Sequence, residues 1–187
     1  WEASKVMLYY AREIKDLEEK KNIIKTKRNE DPVTLADLKV NELIIQRINQ
    51  KYPNYDWDIL SEENVKFSPE KRMPNSWPEW LWVLDPLDGT KDFIQGTGNY
   101  AMHLSLNYKK RPLIGVVLIP EKDELWITDG KKLWCEKSDG SQKIINISKN
   151  KKLSQMTLVS SKNHRNQKLE KLIERIDFKK VVTMGSI

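Results

Sequence analysis

Two aspartates three positions apart follow an apolar run in the segment VLDPLDGTKDF, residues 83–93. Pro86 biases Asp85 toward an extended conformation, which predicts that a strand ends at Asp85 and that the chain turns at once. In such a turn, the carboxylates of Asp85 and Asp88 and the carbonyl of Leu87 can converge on one point. Because like charges packed together repel each other, the segment predicts a site for a hard, oxygen-seeking cation.

The residues after Asp88 favour an anion site beside that cation. Gly89 allows a close approach of the backbone to a ligand, and Thr90 can begin a helix whose free N–H groups bind anions. Phosphoryl transfer needs a cation beside an anion site. An acidic turn between a strand and a helix would explain Asp-Gly-Thr by itself, but it explains the whole sequence DPLDGT less well.

Two upstream segments supply further acidic groups. Glu62 follows an apolar run in LSEEN, residues 60–64, and the ends of parallel neighbouring strands meet at one edge of a sheet. Glu62 is therefore a candidate metal ligand beside Asp85, although alone it could be solvated. Asp37 lies three residues after Thr34, a spacing that resembles a helix capping box, and spacing alone favours a capping role.

The two histidines carry weaker signals. His103 lies in an alternating apolar and polar segment, which favours a structural histidine with satisfied hydrogen bonds. His164 lies in the polar loop SSKNHRN, where a surface position is the default. They lie far apart in sequence and the chain has one cysteine, so the sequence does not indicate a zinc site.

Composition limits the partners and the compartment. The net charge of +6 favours anionic partners, but the basic runs at 20–28 and 149–152 are not interleaved with aromatic residues. Solvated lysines at a helix end and in a loop are the simplest interpretation of these runs, and we do not expect a nucleic acid polymer as partner. A small, highly phosphorylated substrate would profit equally from the positive charge. The lone Cys135 excludes an internal disulfide and favours a reducing compartment, here taken as the cytoplasm. No apolar run approaches the roughly 18 residues that span a membrane.

Hydrophobic periodicity predicts the elements that position these residues. Helices are predicted over 6–17 and from 36 to 48, strands at 57–60 and 80–85, and a loop over 64–79 between those strands. Period-two alternation with short turns predicts an antiparallel meander through residues 101–147. A strand at 156–161, a helix at 166–176 and a strand at 180–184 follow, so the order indicates a layered α/β (α+β) architecture.

Four segments in this order, PVTLAD, ILSEE, WVLDPLDGTKDF and the meander, resemble the inositol monophosphatase family of lithium-sensitive, magnesium-dependent phosphomonoesterases. DGTKDF, LVSSKNH and the final MGS are most similar to its 3′(2′),5′-bisphosphate nucleotidase branch. Ordinary inositol monophosphatases more often contain DGTTNF. The resemblance extends over essentially all 187 residues.

The resemblance implies an α/β/α/β/α sandwich of the inositol monophosphatase and fructose-1,6-bisphosphatase type. Residues 1–148 would form the N-terminal α+β metal-binding part, and residues 149–187 the start of a C-terminal α/β part. The family continues with a Trp-Asp-x-Ala-Ala motif whose Asp binds metal, which Trp57-Asp58 does not match. We therefore expect a C-terminally incomplete chain that turns over little substrate by itself.

The resemblance also implies roles for site residues. The first Mg²⁺ would be held by Glu62, Asp85 and the Leu87 carbonyl, and Asp85 would bridge to a second ion that Asp88 also holds. Asp37 and Thr90, together with Glu62, would orient and deprotonate the attacking water, so that Asp37 both caps a helix and acts in catalysis. Substrate contacts are implied at Asp88, Gly89, Thr90, His164 and Ser186.

The reaction implied is hydrolysis of the 3′-phosphate of adenosine 3′,5′-bisphosphate, and of its sulfated form, with two or three Mg²⁺ ions. The branch suggests a role in sulfur assimilation, and a homodimer is compatible with it. One alternative is the same chemistry on inositol phosphates or fructose 1,6-bisphosphate. An alternative of another class is a non-catalytic module that binds nucleotides or other anions.

Overall fold

The computed structural model describes residues 1–15, 24–26, 32–67, 78–161 and 166–184. These residues divide into two units, Trp1–Ile145 and Asn146–Ile187. The assignment of roles to residues 1–148 and 149–187 stays a prediction. No helix in the described part of the chain is both long and apolar enough to cross a membrane.

Two helices lie on one face of the main sheet of the first unit. Helix α1 spans Glu2–Glu13 and helix α2 spans Leu35–Lys51. Between them lies a two-stranded antiparallel ladder of β1, Ile24–Thr26, and β2, Pro32–Thr34. Both predicted helices are confirmed. Helix α1 begins about one turn earlier than the predicted 6–17, because Ala3 and Met7 continue its buried stripe, and it ends at Glu13.

The main sheet has seven strands in the order β3-β4-β5-β6-β7-β8-β9. Its first pair is parallel and all later neighbours are antiparallel, which confirms the predicted meander. The strands are β3 Asp58–Ser61, β4 Trp80–Asp88, β5 Ala101–Tyr108, β6 Arg111–Ile119, β7 Glu124–Thr128, β8 Leu133–Glu136 and β9 Gln142–Ile145. A 3₁₀ turn at Pro120–Lys122 joins β6 to β7.

Short helices follow the two parallel strands, and here two predictions were wrong. Helix α3, Glu62–Phe67, occupies the first residues of the predicted loop, because Glu62 and Glu63 favour a helix N-terminus. Residues 68–77 of that loop lie outside the described residues. Strand β4 does not end at Asp85 but continues to Asp88 before helix α4, Thr90–Gln95.

The continuation of β4 contains a local irregularity. Its pairing with β5 shifts register between Asp85 and Asp88 and resumes where Asp88 faces Ala101. Pro86 lies in this shift and has no N–H to donate to the ladder, which explains why the regular pairing is interrupted there. The strand therefore bulges at the sequence that was expected to turn.

Two apolar clusters hold the first unit together. The larger one joins the helices to the sheet through residues that include Met7, Val40, Leu84 and Leu118. The smaller one lies where β3 and β4 begin. Three of its tryptophans contact one another or neighbouring tyrosines. We call the resulting group of contacting rings the aromatic cluster: Tyr52, Tyr55, Trp57, Trp80, Trp82 and Tyr108.

The second unit is a strand–helix–strand motif. Strands β10, Thr157–Ser161, and β11, Lys180–Met184, are parallel, and helix α5, Gln167–Arg175, connects them. The Oδ1 atom of Asn166 accepts a hydrogen bond from the Leu169 N–H at 3.0 Å and caps this helix. The predicted order of these three elements is confirmed.

Candidate active site

The parallel pairing of β3 and β4 brings two of the predicted metal ligands together. Ser61 pairs with Leu84. The residue after Ser61 is Glu62, the first residue of α3, and the residue after Leu84 is Asp85. The Asp85 and Glu62 side chains share a hydrogen bond, and Asp88 lies near enough for its charge to act on Asp85. We call Asp37, Glu62, Asp85 and Asp88 the acidic corner.

Asp85 has a strongly perturbed acidity. The pKa of Asp85 is raised from 3.8 to about 7, mainly by burial, and further by the charge and hydrogen bond of Glu62 and by the charge of Asp88. The Leu87 N–H donates to Asp85 Oδ1 at 3.2 Å and partly opposes this shift. Near pH 7, Asp85 is therefore protonated in a substantial fraction of the molecules, and a cation bound beside it could take over the role of that proton.

Asp37 is held at the start of α2 by Thr34. Its Oδ2 accepts hydrogen bonds from the Thr34 N–H at 2.9 Å and from the Thr34 hydroxyl at 2.6 Å, which confirms the capping prediction. Only 1% of Asp37 is exposed, and burial raises the pKa of its carboxyl to about 6, against the effect of the Thr34 bonds. The charge of Glu63 raises that pKa further. Asp37 is thus mostly ionised at pH 7.

Thr90 connects Asp37 to the end of β4. Its hydroxyl lies 3.4 Å from Asp37 Oδ1 and 3.3 Å from the Leu87 carbonyl oxygen, although Asp37 is 53 residues away in sequence. Gly89 precedes Thr90 with φ of 86°, a left-handed conformation that favours glycine. This turn starts α4 at Thr90, as predicted, and directs its hydroxyl toward Asp37.

The donor set of the acidic corner is all oxygen, which suits Mg²⁺ rather than a softer metal. However, within the described residues, no three carboxylate, imidazole or thiol groups form one metal-binding set. The structure brings Glu62 and Asp85 into contact and places Asp88 nearby, but it does not gather all three around one point. Mg²⁺ is usually bound by one or two carboxylates plus waters and substrate phosphates, so this pair fits it.

The remaining predicted residues divide into those described and those outside the described part of the chain. His164 and Ser186 belong to the second group. His103 faces Asp85 across the β4–β5 pair, and both line a cavity of about 450 Å³ on the sheet. The His103 Nε2 is buried with no hydrogen-bond partner among the described residues, so the expectation of satisfied hydrogen bonds was wrong for this nitrogen.

Sequence reasoning missed two contributors to the site. Glu63 is 1% exposed and acts electrostatically on Asp37, whereas Glu62 is the glutamate that meets Asp85. Nothing in the sequence of two adjacent glutamates indicates which one is buried. The Thr34 hydroxyl was read only as part of a cap, yet it also fixes the orientation of the Asp37 carboxylate.

Comparisons with known proteins agree on one family. A model of the inositol monophosphatase family matches residues 1–186. The chain is 31% identical over 160 residues to the 3′(2′),5′-bisphosphate nucleotidase CysQ of Buchnera aphidicola subsp. Acyrthosiphon pisum. That match covers 86% of this chain and 57% of the Buchnera protein, so the chain spans less than two thirds of this relative's length.

Solved structures show the same fold. CysQ from Bacteroides thetaiotaomicron matches with a TM-score of 0.68 at 23% identity, covering 98% of this chain and 68% of that one. The Thermotoga maritima IMPase also matches with a TM-score of 0.68, at 19% identity, covering 99% and 65%. These likenesses confirm the predicted layered fold of the inositol monophosphatase type.

Proposed function

The chain belongs to the inositol monophosphatase family, and from this membership we propose that it acts as a metal-dependent phosphoric monoester hydrolase. The main observation in support is that two pairs of side chains lie near the ends of β3 and β4. One pair is Glu62 and Asp85, and the other is Asp37 and Thr90. One pair supplies oxygen ligands for a cation, and the other supplies a base and a hydroxyl. Together they match what hydrolysis by a metal-activated water requires.

Within this reaction class, we propose adenosine 3′,5′-bisphosphate as the substrate, with AMP and phosphate as products. Support comes from curated relatives that are 27%, 31% and 36% identical to this chain and are named 3′(2′),5′-bisphosphate nucleotidase CysQ. The sulfated form of the nucleotide carries the same 3′-phosphate and belongs to the same proposal. Sulfur assimilation is the corresponding physiological context.

The same chemistry on inositol phosphates or fructose 1,6-bisphosphate is the second candidate. One structural neighbour, SaIMPase-II, has been solved with 2′AMP bound and with inositol monophosphate bound. That protein therefore binds both a nucleotide and a polyol phosphate. A small phosphorylated molecule is common to both candidates, so the reaction class does not depend on the choice between them.

Glu62, Asp85, Asp88 and the Leu87 carbonyl would hold Mg²⁺, as two or three ions. When bound, Mg²⁺ would neutralise the charge of the phosphate and lower the pKa of the attacking water. The Thr90 hydroxyl would orient that water, passing its own proton to Asp37 as its oxygen takes one from the water. The backbone at Gly89 and Thr90 and the Asp88 side chain would contact the scissile phosphate, with His164 and Ser186 contacting the rest of the substrate.

No covalent phosphoenzyme is part of this proposal. Each step needs only positioning and charge stabilisation, which the carboxylates and the α4 turn are suited to provide. A cytoplasmic location and a homodimer are further parts of the proposal. The alternative of another class, a non-catalytic module that binds anions, would bind the nucleotide without consuming it.

The test is phosphate release by the complete encoded protein with Mg²⁺, from adenosine 3′,5′-bisphosphate, inositol 1-phosphate and fructose 1,6-bisphosphate at equal concentrations. We expect the nucleotide to be hydrolysed fastest and AMP to appear in equal amount to phosphate. Asp85→Asn should lower the rate by about 1,000-fold or more, because a metal ligand is lost. Asp58→Asn, at an exposed carboxylate on the neighbouring β3, is the matched control and should leave the rate unchanged.

Two results would decide against the proposal. A rate in Asp85→Asn close to that of the unsubstituted protein would remove the metal assignment. Binding of the nucleotide without hydrolysis of any compound in the panel would favour the non-catalytic module. Faster hydrolysis of the inositol or fructose compound would keep the reaction class and change only the substrate.

A further inference from the structure

A second polar network lies next to the acidic corner, and its side chains, those of Asn41, Ser61 and Asn64, have no role in the site described above. The Ser61 hydroxyl donates a short hydrogen bond to Asn41 Oδ1, and it accepts one from the Glu63 N–H at 3.3 Å. The Asn41 Nδ2 donates to Asn64 Oδ1 at 3.4 Å. Ser61 is 0% exposed and Asn41 is 8% exposed, so the Asn41–Ser61 bond lies in the interior.

This network lies between two residues of the acidic corner, Asp37 and Glu62. Asn41 is one helical turn after Asp37 on α2, so both side chains point from the same face of the helix. Ser61 ends β3 and immediately precedes Glu62. The bond between Asn41 and Ser61 therefore joins the helix that carries the proposed base to the strand end that carries a proposed metal ligand.

The same bond also fixes the start of α3. The Glu63 N–H is one of the first N–H groups of this helix, and Ser61 satisfies it in the manner of a cap. Asn41 reaches across to Asn64 in the first turn of α3. The side chains of Asn41 and Ser61 thus connect α2, β3 and α3. Glu62 lies in sequence between Ser61 and Glu63, whose N–H donates to the Ser61 hydroxyl.

A buried asparagine and serine are not needed to hold such a junction together. An apolar pair of similar volume would avoid the cost of removing two polar groups from water and could be as stable. A hydrogen bond depends on both distance and angle, so it fixes how the two side chains are placed relative to each other. An apolar contact allows more variation in that placement. Displacement of catalytic groups by about 1 Å can cost about 100-fold in rate.

We propose that Asn41 and Ser61 are positioning residues, which set the distance between Asp37 on α2 and Glu62 at the end of β3. This inference rests on the proposed phosphomonoester hydrolysis, for which the two carboxylates must act on one water and one metal site. Neither side chain contacts the substrate in this account. Both act through the placement of the carboxylates on either side of them.

The first variants remove one partner each. In the complete encoded protein with Mg²⁺ and adenosine 3′,5′-bisphosphate, Asn41→Ala and Ser61→Ala should each lower kcat by about tenfold or more. KM should stay within about twofold, because the substrate contacts are untouched. The double variant should lose little beyond either single variant, since the first substitution already breaks the bond. Circular dichroism melting shows whether each variant is folded.

A second design separates positioning from stability. Asn41→Leu combined with Ser61→Ala replaces both partners by apolar groups, which should restore most of the melting temperature lost in the single variants. The hydrogen bond is still absent, so kcat should stay low. A purely structural role predicts the opposite, namely that kcat recovers together with the melting temperature.

A matched control is available in the sheet. Asn107 on β5 donates through Nδ2 to the Ser105 hydroxyl at 3.0 Å and to the Leu81 carbonyl at 3.3 Å. Asn107→Ala therefore breaks another asparagine–serine bond in the same unit, away from the acidic corner. It should leave kcat within about twofold, and its effect should add independently to that of Asn41→Ala.

The outcomes distinguish the two proposals. If the unsubstituted protein hydrolyses the nucleotide and kcat recovers with stability in the double apolar variant, the positioning role is refuted while the proposed function stands. If Asn107→Ala lowers kcat as much as Asn41→Ala, the positioning role is likewise refuted. If the unsubstituted protein hydrolyses none of the phosphomonoesters, the proposed function fails and the positioning role fails with it.

Discussion

The parallel strands β3 and β4 carry opposite chemistry at their two ends. Where they begin, the ring of Trp57 packs against those of Trp80 and Trp82, with centroid distances of 6.5 and 5.6 Å. Toward their other ends, the carboxylates of Glu62 and Asp85 are in contact, and burial together with the charge of Glu62 raises the pKa of Asp85. The same pair of strands thus brings together aromatic rings that attract one another at one end. At the other end it brings together carboxylates that repel one another when both are ionised.

This difference separates stability from activity. Aromatic rings in tilted contact remove apolar surface from water and stabilise the folded state. Buried carboxylates do the reverse when no cation lies between them, because burial and like charge both disfavour ionisation. We infer that the aromatic cluster stabilises the strands, while the acidic corner exists for binding and chemistry. Substitutions at the two ends should therefore have effects of different kinds.

The largest effect is expected at the acidic end, in the rate. Asp37→Asn removes the proposed base but keeps the size of the side chain, so kcat should fall by about 1,000-fold. In the unsubstituted protein, activity should also fall as the pH drops below about 6, where Asp37 becomes protonated. Steady-state rates of phosphate release across pH measure both effects. A loss of less than tenfold in Asp37→Asn would show that the base lies elsewhere.

The next effect is expected at the aromatic end, in stability. Trp57→Ala removes the ring that contacts four other rings of the aromatic cluster, and it should lower the free energy of unfolding by about 2–4 kcal/mol. At temperatures where the variant is folded, its kcat should be unchanged. Urea denaturation measures the first quantity. Tyr9→Ala, at an exposed ring outside the cluster, is the control and should change it by about 0.5 kcal/mol or less.

The smallest effect is a gain in stability at the acidic end. The folded-state pKa of Asp85 lies near 7, above its ordinary 3.8, so in metal-free protein its contribution to stability is lost as the pH rises through about 7. Asp85→Asn removes that ionisation, and at pH 8 with a chelator it should raise the melting temperature by a few degrees.

Melting of a control variant across pH shows whether the effect of Asp85→Asn is specific to the acidic corner. Asp58→Asn, at the exposed aspartate where β3 begins, should leave the pH dependence of melting unchanged. If Asp85→Asn melts at a lower temperature than the unsubstituted protein at pH 8, the acidic corner stabilises the fold, and the contrast between the two ends of the strands is lost.

Much of the acidic corner could be predicted from the sequence, because its chemistry is concentrated at the ends of apolar runs. Asp85 and Glu62 end two such runs, and the parallel pairing of those runs is enough to bring them together. The family resemblance added Thr90 as a partner of Asp37. The structure places the Thr90 hydroxyl and Asp37 Oδ1 3.4 Å apart.

Other features depended on tertiary contacts that leave no local pattern. The continuation of β4 past Asp85 depends on pairing with Ala101 on β5, which no property of Asp-Pro-Leu-Asp reveals. Asn41 and Ser61 are ordinary polar residues in sequence, and only the packing of α2 on β3 makes them a buried pair. The burial of His103 Nε2, which has no hydrogen-bond partner in the described part of the chain, likewise depends on what surrounds the sheet.

The central claim is that the acidic corner is built to hold a divalent cation, and titration calorimetry with Mg²⁺ near pH 7 tests it most directly. Because the pKa of Asp85 is raised to about 7, Mg²⁺ binding near that pH should release protons, so the observed heat should vary with the ionisation enthalpy of the buffer. Asp85→Asn should abolish this binding, while Asp58→Asn should retain it. Absence of Mg²⁺ binding at millimolar concentration, or equal binding by Asp85→Asn, would contradict the account.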